Sequence, residues 1–400
     1  MFNKLLNYAR ENEKKINDYR KQIHQYAEIG FNTDQTVNYI KKKLKSFNID
    51  LKKCGTNGII ATIGKNKTYT VLLRADMDAL PLKEESGLPY SAQNGNCHAC
   101  GHDLHTAMLL GAAKILKENE NNLNGTVKLI FQPSEETLEG CKNMIENGLL
   151  NDTQTDAAIM IHVLTGVNLE TGTVIVSSGG VSAPSADFFE INITGKSSHG
   201  SSPQKGIDAL CTAAHTVINL QNIQTRELPS DHNSILTIGQ LISGKAANII
   251  ADNATIKGTL RAFNEKIQDF IIKRIIEISE NTAKAFRANA VFKITSSCPT
   301  LLNDDTISKL IGESLKNEYD KVLFSEELGE AIGGSEDFSY LTHKVPSLML
   351  SIAAGNINEG YNYPLHHPKV LFDENVLPIG SAVYAYSAIK ILENKKSGAI

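Results

Sequence analysis

Short apolar runs and helical patterns alternate along the first 180 residues of the chain. Residues 70–74, 127–131 and 157–162 are apolar runs of strand length, and residues 106–116 carry apolar positions at helical spacing. Strands that are apolar on both faces are typical of a parallel sheet with helices on each side. The pattern therefore predicts an α/β fold, a mostly parallel sheet flanked by helices.

The pattern changes after residue 180. Strand patterns at 186–195, 234–243, 253–263 and 291–296 enclose helical patterns at 207–228 and 265–289. This β-α-β-β-α-β order is that of a ferredoxin-like α+β domain. We expect an inserted domain at residues 183–298, which interrupts a main domain formed by residues 1–182 and 299–400.

Reactive side chains follow three of the apolar strands in the main domain. Asp76 and Asp78 come after the first strand, Glu135 and Glu136 after the second, and His162 closes the third. Parallel sheets bind ligands beyond the carboxyl ends of their strands, so these side chains are expected at one edge. Because carboxylates and imidazoles bind divalent metal ions, the sequence predicts a metal site there.

A dense polar segment lies between the first two of these strands: His98-Ala-Cys100-Gly-His102-Asp103-Leu-His105. A thiolate and an imidazole suit zinc-like ions. The Cys-x-His spacing alone fits a buried thiol beside a hydrogen-bonded histidine better. However, five polar or reactive side chains in such a short segment are hard to accommodate in a core, because buried polar groups need partners.

Simpler interpretations exist for the other candidates. Glu135 and Glu136 also fit a helix N-terminus, where acids favour the helix dipole, with Ser134 as its cap. A histidine that closes a buried strand, as His162 does, is commonly structural. His366 and His367 could both be solvated loop residues. Taken jointly, the side chains favour a metal centre.

Composition narrows the class of protein. The net charge is −4, with mixed signs and no basic stripe, which argues against nucleic-acid binding. The N-terminus has neither a signal peptide nor transit character, and no stretch reaches the roughly 20 apolar residues of a membrane span. Six scattered cysteines in 400 residues do not resemble a disulfide framework. We therefore expect a cytoplasmic protein with reduced cysteines.

Several motifs carry a family resemblance. They are Arg74-Ala-Asp76-Met-Asp78-Ala-Leu-Pro81, the 98–105 segment, Phe131-Gln-Pro133-Ser-Glu135-Glu136, Ser198-His199-Gly200, Asn248-Ile-Ile250, Gly258-Thr-Leu-Arg261 and Gly334-Ser-Glu336-Asp337-Phe338. Together with Arg20-Lys-Gln-Ile-His24 and Glu28-Ile-Gly30-Phe31 near the start, these motifs occur in order, and from about residue 20 to 385 the chain resembles the N-acyl-amino-acid amidohydrolase branch of the aminoacylase/carboxypeptidase metallohydrolases. That branch includes hippurate hydrolases, auxin-conjugate hydrolases and N-acetyl-diaminopimelate deacetylases.

The resemblance implies a metal-dependent hydrolase of N-acyl amino acids, with two divalent ions per chain. The ligands it implies in this sequence are Cys100, His102, Glu136, His162 and His366. Glu135 would be the general acid/base, and Asp78 would orient a metal ligand. Zn, Mn, Co and Ni all suit this donor set. The choice of His366 over His367 follows the family's His-x-Pro pattern.

The resemblance also makes the inserted domain a lid, whose His199, Asn248 and Arg261 would reach a small-molecule substrate. Each has a simpler interpretation: a solvated loop histidine, a turn-capping amide and an arginine that covers the lid surface. The chain has Pro203-Gln204 where relatives often have Pro-His. The exposed sheet edge of a ferredoxin-like domain further suggests a homodimer through the lid.

Two other functions remain open from the sequence. A dipeptidase or carboxypeptidase is the nearest rival, although such relatives commonly use an acid-only ligand set rather than a cysteine. A non-catalytic, metal-stabilised binding protein would be expected to lose Glu135, which is present.

Overall fold

The structure, a computed structural model, describes residues 1–66, 68–152, 154–328 and 334–398. These residues form two compact units. Unit 1 contains Met1–Ser182 and Leu302–Ile400, and unit 2 contains Ala183–Leu301. Among the described residues, no helix is both long and apolar enough to cross a membrane.

The helices and strands are numbered in chain order. The helices are α1 (Phe2–Glu11), α2 (Glu13–Tyr26), α3 (Asp34–Ser46), α4 (His102–Glu118), α5 (Gly140–Glu146), α6 (Ala209–Asn222), α7 (Glu265–Ala285), α8 (Asp305–Lys316), α9 (Ser339–Thr342) and α10 (Val376–Ser397). The strands are β1 (Asp50–Cys54), β2 (Gly58–Ile63), β3 (Thr70–Asp76), β4 (Thr126–Gln132), β5 (Ala157–Leu164), β6 (Val174–Val176), β7 (Gly180–Ala183), β8 (Ser185–Thr194), β9 (Ser198–His199), β10 (Ser234–Ser243), β11 (Ile249–Ile250), β12 (Asn253–Ala262), β13 (Asn289–Cys298), β14 (Leu301–Asn303), β15 (Val322–Phe324) and β16 (Ser347–Ala353).

Unit 1 is built on an eight-stranded sheet with the order β1-β2-β4-β3-β5-β16-β6-β15. Its centre is parallel, because β4, β3, β5 and β16 pair in the same direction. Antiparallel pairs occur on both sides, where β2 meets β4 and β6 meets β16. The mostly parallel sheet predicted from the sequence is confirmed.

The apolar runs in the sequence form the strands at the middle of this sheet. All seven residues of β3 and all seven of β4 are buried, so neither face of these strands meets water. Helices α4 and α10 pack closely beside the sheet. A side chain at Gly111 would place its Cβ 2.2 Å from the Ser381 hydroxyl oxygen, so any larger residue there would force Ser381 on α10 to shift.

Unit 2 has an antiparallel four-stranded sheet in the order β10-β12-β8-β13. Helices α6 and α7 cover it, and they bury Phe189, Ile191, Ile256 and Ile271 in a separate core. This is the strand order of a ferredoxin-like domain, as the sequence predicted. Within the unit, β9 and β11 form a further two-stranded sheet.

Candidate metal centre

The carboxyl ends of three neighbouring strands build the site. Strand β3 lies between β4 and β5 and is parallel to both. The carboxyl ends of the three strands therefore lie at the same edge of the sheet. Asp78 follows β3, the pair Glu135 and Glu136 follows β4, and His162 lies near the end of β5. Cys100 and His102 join them at the start of α4.

Five side chains expected as ligands lie close together. Cys100 Sγ is 3.5 Å from His162 Nε2 and 3.3 Å from His366 Nε2. Glu136 Oε1 is 3.9 Å from His102 Nε2 and 3.5 Å from His366 Nε2. Cys100 belongs both to the group with His102 and His162 and to the group with Glu136 and His366. The arrangement offers two overlapping sets of donor atoms.

Two buried atoms in this cluster have no hydrogen-bond partner within the described residues: His102 Nε2 and Glu136 Oε1. A buried polar atom without a partner costs free energy, and a divalent cation between these two would compensate for it. The donor set of one thiol, three imidazoles and a carboxylate suits Zn, Mn, Co and Ni. The residues present therefore fit the metal ions that the sequence implies.

The pKa shifts of the donors differ in direction. Burial lowers the pKa of His162 to about 3, so its ring is neutral and can offer a lone pair. Its Nδ1 hydrogen-bonds the Val163 carbonyl at 2.7 Å, which leaves Nε2 on the side of Cys100. Burial raises the pKa of the Cys100 thiol and that of Glu136, the latter to about 7. A bound divalent ion reverses such shifts, because its charge favours the ionised donors.

Asp78 holds three parts of the site. Its carboxylate accepts from the backbone N–H groups of Glu135, at 3.0 Å, and Glu136, at 3.2 Å. Its backbone carbonyl is 2.9 Å from His102 Nδ1, which leaves His102 Nε2 for a ligand. Asp78 thus orients a donor through its peptide and the glutamate pair through its side chain.

Glu135 is 6% exposed, and it stands beside the donor cluster. Its Oε2 lies 3.9 Å from His102 Nε2. Burial, and after it the charge of Glu336, raises the pKa of Glu135 well above its ordinary value. Such a shift makes Glu135 a stronger proton acceptor than an ordinary glutamate, as a general base requires.

Three residues near the site have backbone conformations that side-chain-bearing residues rarely adopt. Ser134 and His366 both have a φ of 64°, and Leu138 has a φ of 60°, in the left-handed region that costs a side-chain-bearing residue energy. A Cβ at Gly140 would lie 1.7 Å from the Pro133 carbonyl oxygen, so the turn after β4 requires glycine. The helix that the sequence allowed at Glu135 does not begin there, because α5 starts only at Gly140.

Two of the remaining polar residues of the 98–105 segment, Asp103 and His105, bond to groups outside the five proposed ligands. Asp103 accepts from Arg20 Nε at 3.0 Å and contacts His24 Nδ1 at 2.8 Å. His105 Nδ1 bonds Asp76 Oδ1 at 2.6 Å. His98 lies outside the ligand groups found among the described residues. Of the two C-terminal histidines, His366 faces Cys100, whereas His367 stacks on Tyr363 with ring centroids 4.3 Å apart.

The expected substrate residues lie in unit 2. His199, in β9, pairs with Ile249 in β11, and Gly200 N–H donates to the Asn248 carbonyl at 2.7 Å. His199 and Asn248 are therefore neighbours. Arg261 belongs to a different sheet of that unit, on β12, where its guanidinium lies 5.6 Å from the centre of the Phe188 ring.

A buried ionic network lies next to Glu135, and the sequence predicted no role for it. Arg74, 1% exposed, donates to Asp76, Glu336 and Asp337 at 2.6, 2.9 and 2.8 Å. Glu336 also lines a cavity of about 370 Å³ together with Glu135. The available signal was the Gly334-Ser-Glu336-Asp337-Phe338 motif, which was recognised without a function.

Comparisons with known proteins identify the family of this chain. The family model described as peptidase family M20/M25/M40 matches residues 72–390. The N-acetyl-L-cysteine deacetylase of Bacillus subtilis (strain 168) is 34% identical over 97% of this chain and 91% of its own length. The IAA-amino acid hydrolase ILR1-like 2 of Arabidopsis thaliana is 35% identical over 98% of this chain and 89% of its own length.

A solved structure from Bacillus subtilis, described as a dinuclear metal binding peptidase from the M20 family, is also similar. It superposes with a TM-score of 0.78 at 28% identity and covers 96% of this chain and 99% of that one. The fold, the metal-ligand groups and the extent of these matches lead to one conclusion. The chain belongs to peptidase family M20/M25/M40 and is a metal-dependent amidohydrolase.

Proposed function

We propose that this enzyme hydrolyses the amide bond of N-acyl amino acids and releases the acyl group and the amino acid. Two divalent ions would be held by Cys100, His102, Glu136, His162 and His366. Glu135 would be the general base. The observation that carries the proposal is the buried Glu135 carboxyl beside a cluster of five donor side chains, four of which line the same cavity as Glu135.

The residues divide the chemistry between them. When bound, the ions lower the pKa of a water and polarise the amide carbonyl. Glu135 takes a proton from the water and passes it to the leaving nitrogen. Asp78 supports both functions, since its carboxylate holds the peptides of Glu135 and Glu136.

The donor set limits which metal ions can bind and in which cell compartment the enzyme can work. Zn, Mn, Co and Ni are the candidates, because a thiolate and several imidazoles disfavour Mg and Ca. Cys100 binds only as a thiolate, and all six cysteines of the chain are free. We therefore place the enzyme in the cytoplasm, where thiols stay reduced.

The small-molecule substrate is proposed from residues of unit 2 and from the relatives. The similar proteins are named for N-acetylcysteine and for IAA-amino acids, which share an α-carboxylate next to an acylated nitrogen. A planar guanidinium binds a carboxylate with two hydrogen bonds, so Arg261 is the proposed clamp. Asn248 would contact the same carboxylate, and the neighbouring His199 would stabilise the oxyanion that develops on the amide carbonyl.

Substrate preference tests this proposal directly. On the metal-reconstituted enzyme, hydrolysis of N-acyl amino acids should far exceed that of the matching methyl esters and of unblocked dipeptides. The screen varies the acyl group and the amino acid separately and reports kcat/KM. Equal rates on acid and ester would remove the carboxylate clamp, and faster cleavage of dipeptides would favour a peptidase.

Replacing Arg261 by Lys should lower kcat/KM for the free acid by roughly ten- to a hundredfold, because a hydrogen bond to a charged group contributes about 1.5–3 kcal/mol. The ester should lose little, because it has no carboxylate to bind. Arg274→Lys is the matched control, since Arg274 lies in the same unit but pairs with Glu227. An unchanged acid-to-ester ratio in Arg261→Lys would contradict the assignment.

We further propose a homodimer through the edge of unit 2. Strand β10 is the edge strand of the sheet, and its Ile235, Leu241 and Ile242 are exposed. An apolar, unpaired edge favours pairing with a second copy, which buries the side chains and completes the hydrogen bonds.

Light scattering at micromolar concentration should therefore give twice the 43.6 kDa chain mass. Ile242→Lys should shift the mass to the monomer, since a buried lysine charge disfavours the pairing. Val291→Lys, at an equally exposed position of the opposite edge strand β13, should leave the dimer intact. A wild-type mass of one chain would refute the dimer.

A further inference from the structure

The Gly334–Phe338 motif has no part in the chemistry described so far, yet it lies against the reacting groups. Glu336 is 5% exposed and lines the same cavity as Glu135 and Glu136. Oxygens of Glu135, Glu336 and Asp337 lie within 4.8 Å of one another. Buried carboxylates this close repel one another, so they persist only where the surrounding structure fixes each one.

The Glu336 side chain is fixed at one oxygen. Its Oε1 accepts from Arg74 Nη2 at 2.9 Å and from the Phe338 backbone N–H at 3.0 Å. Arg74 is itself immobilised, because its Nε donates to Gln132 and its Nη1 to Asp76. Charge-assisted bonds of this kind hold a side chain in one rotamer.

The next side chain is fixed as firmly. Asp337 Oδ1 accepts from Arg74 Nη2 at 2.8 Å and from Gln132 Nε2 at 2.7 Å, and its Oδ2 accepts from the Cys141 N–H at 2.8 Å. Two consecutive anchored side chains determine the orientation of the peptide between Glu336 and Asp337.

The N–H of that peptide faces the general base. Asp337 N–H donates to Glu135 Oε1 at 3.4 Å, while Glu135 Oε2 lies 3.9 Å from His102 Nε2. The Asp337 N–H thus holds Glu135 Oε1, whereas Glu135 Oε2 lies on the side of the donor cluster. A base acts only within hydrogen-bond reach of its proton, so this orientation bears on the rate.

We propose that Glu336 is a positioning residue for Glu135. Anchored on Arg74, Glu336 holds the Asp337 N–H against one oxygen of Glu135 and so keeps the other oxygen directed at the reacting water. The inference rests on the proposed role of Glu135 as the base. Glu336 acts through a peptide and not through the substrate.

Glu336→Ala tests it. In the metal-loaded enzyme, kcat should fall by about 100-fold, the loss that a misplacement on the order of 1 Å brings. KM should stay within about threefold, and the metal content and near-ultraviolet circular dichroism should match wild type. A residue with only a structural role would instead lower stability and leave the kcat of the folded enzyme unchanged.

Conservative variants complete the test. Glu336→Gln keeps an oxygen that accepts from Arg74 and from Phe338 N–H, so it should restore kcat to within about tenfold of wild type. Glu336→Asp keeps the charge but shortens the reach, and it should fall between Ala and Gln. If the alanine variant does not fold, the order Gln above Asp remains the test. Glu374→Ala, which breaks a comparable 3.0 Å pair with Arg20 elsewhere in unit 1, should keep wild-type kcat.

Two results would overturn the positioning role: wild-type kcat in a folded Glu336→Ala enzyme, or a Gln variant as slow as Ala. Both results can be obtained only if the wild-type enzyme has measurable activity. If the wild-type enzyme hydrolyses no N-acyl amino acid, the proposed function fails instead, so the two failures are separable.

Discussion

Glu135→Gln is expected to lower kcat by about 10³–10⁴-fold, near the upper end of what a general base contributes. The amide has the shape of the carboxyl but cannot take a proton from water. Because Glu135 is not among the five proposed ligands, the metal content should remain that of wild type. Single-turnover kinetics and elemental analysis of the same dialysed sample measure both quantities.

Glu139→Gln is the control for this variant. It makes the same chemical change at an exposed position of the same loop, so it should leave kcat unchanged. If Glu135→Gln kept more than a few per cent of wild-type turnover, another group would have to be the base.

Cys100→Ala should cause the largest loss of metal. Cys100 Sγ lies within 3.5 Å of donor nitrogens from two histidines and belongs to both ligand groups, so its removal weakens both positions. We expect less than half of the wild-type metal after dialysis and a loss of activity of at least 100-fold, since weaker perturbations of a metal site already cost about 10–100-fold.

The metal content of two further variants distinguishes a ligand from a structural residue. His162→Ala removes a donor from one group only and should cost about half as much metal as Cys100→Ala. His367→Ala should cost none, because His367 stacks on Tyr363 rather than facing Cys100. Full metal content in Cys100→Ala would make Cys100 a structural thiol.

The sequence predicted the parts of this enzyme whose signals are local. The buried runs that became β3, β4 and β5 were found within a few residues, because strands covered on both faces are apolar throughout. Strand β1 was missed, since it is an edge strand whose Asp50–Cys54 sequence alternates weakly and carries two lysines. Edge strands lack the burial that produces a pattern.

Long-range partners were beyond sequence reasoning. The metal-ligand candidates could be grouped because a parallel sheet gathers its carboxyl ends at one edge. Nothing local, however, pairs Arg74 with Glu336 and Asp337, which join the network from the far end of the chain. Nor could the left-handed backbone of Ser134 and His366 be anticipated, because it is imposed by the packed structure on residues that disfavour it.

The order of strands in unit 1 has a consequence for biosynthesis. Strand β5 pairs on one side with β3 and on the other with β16, which the ribosome makes only after all of unit 2. At roughly 5–20 residues per second, that delay is on the order of 10–40 seconds. Throughout it, an apolar strand edge in the nascent chain has no partner, which is a hazard for aggregation. The interrupted domain thus completes its central sheet only when its C-terminal hundred residues arrive.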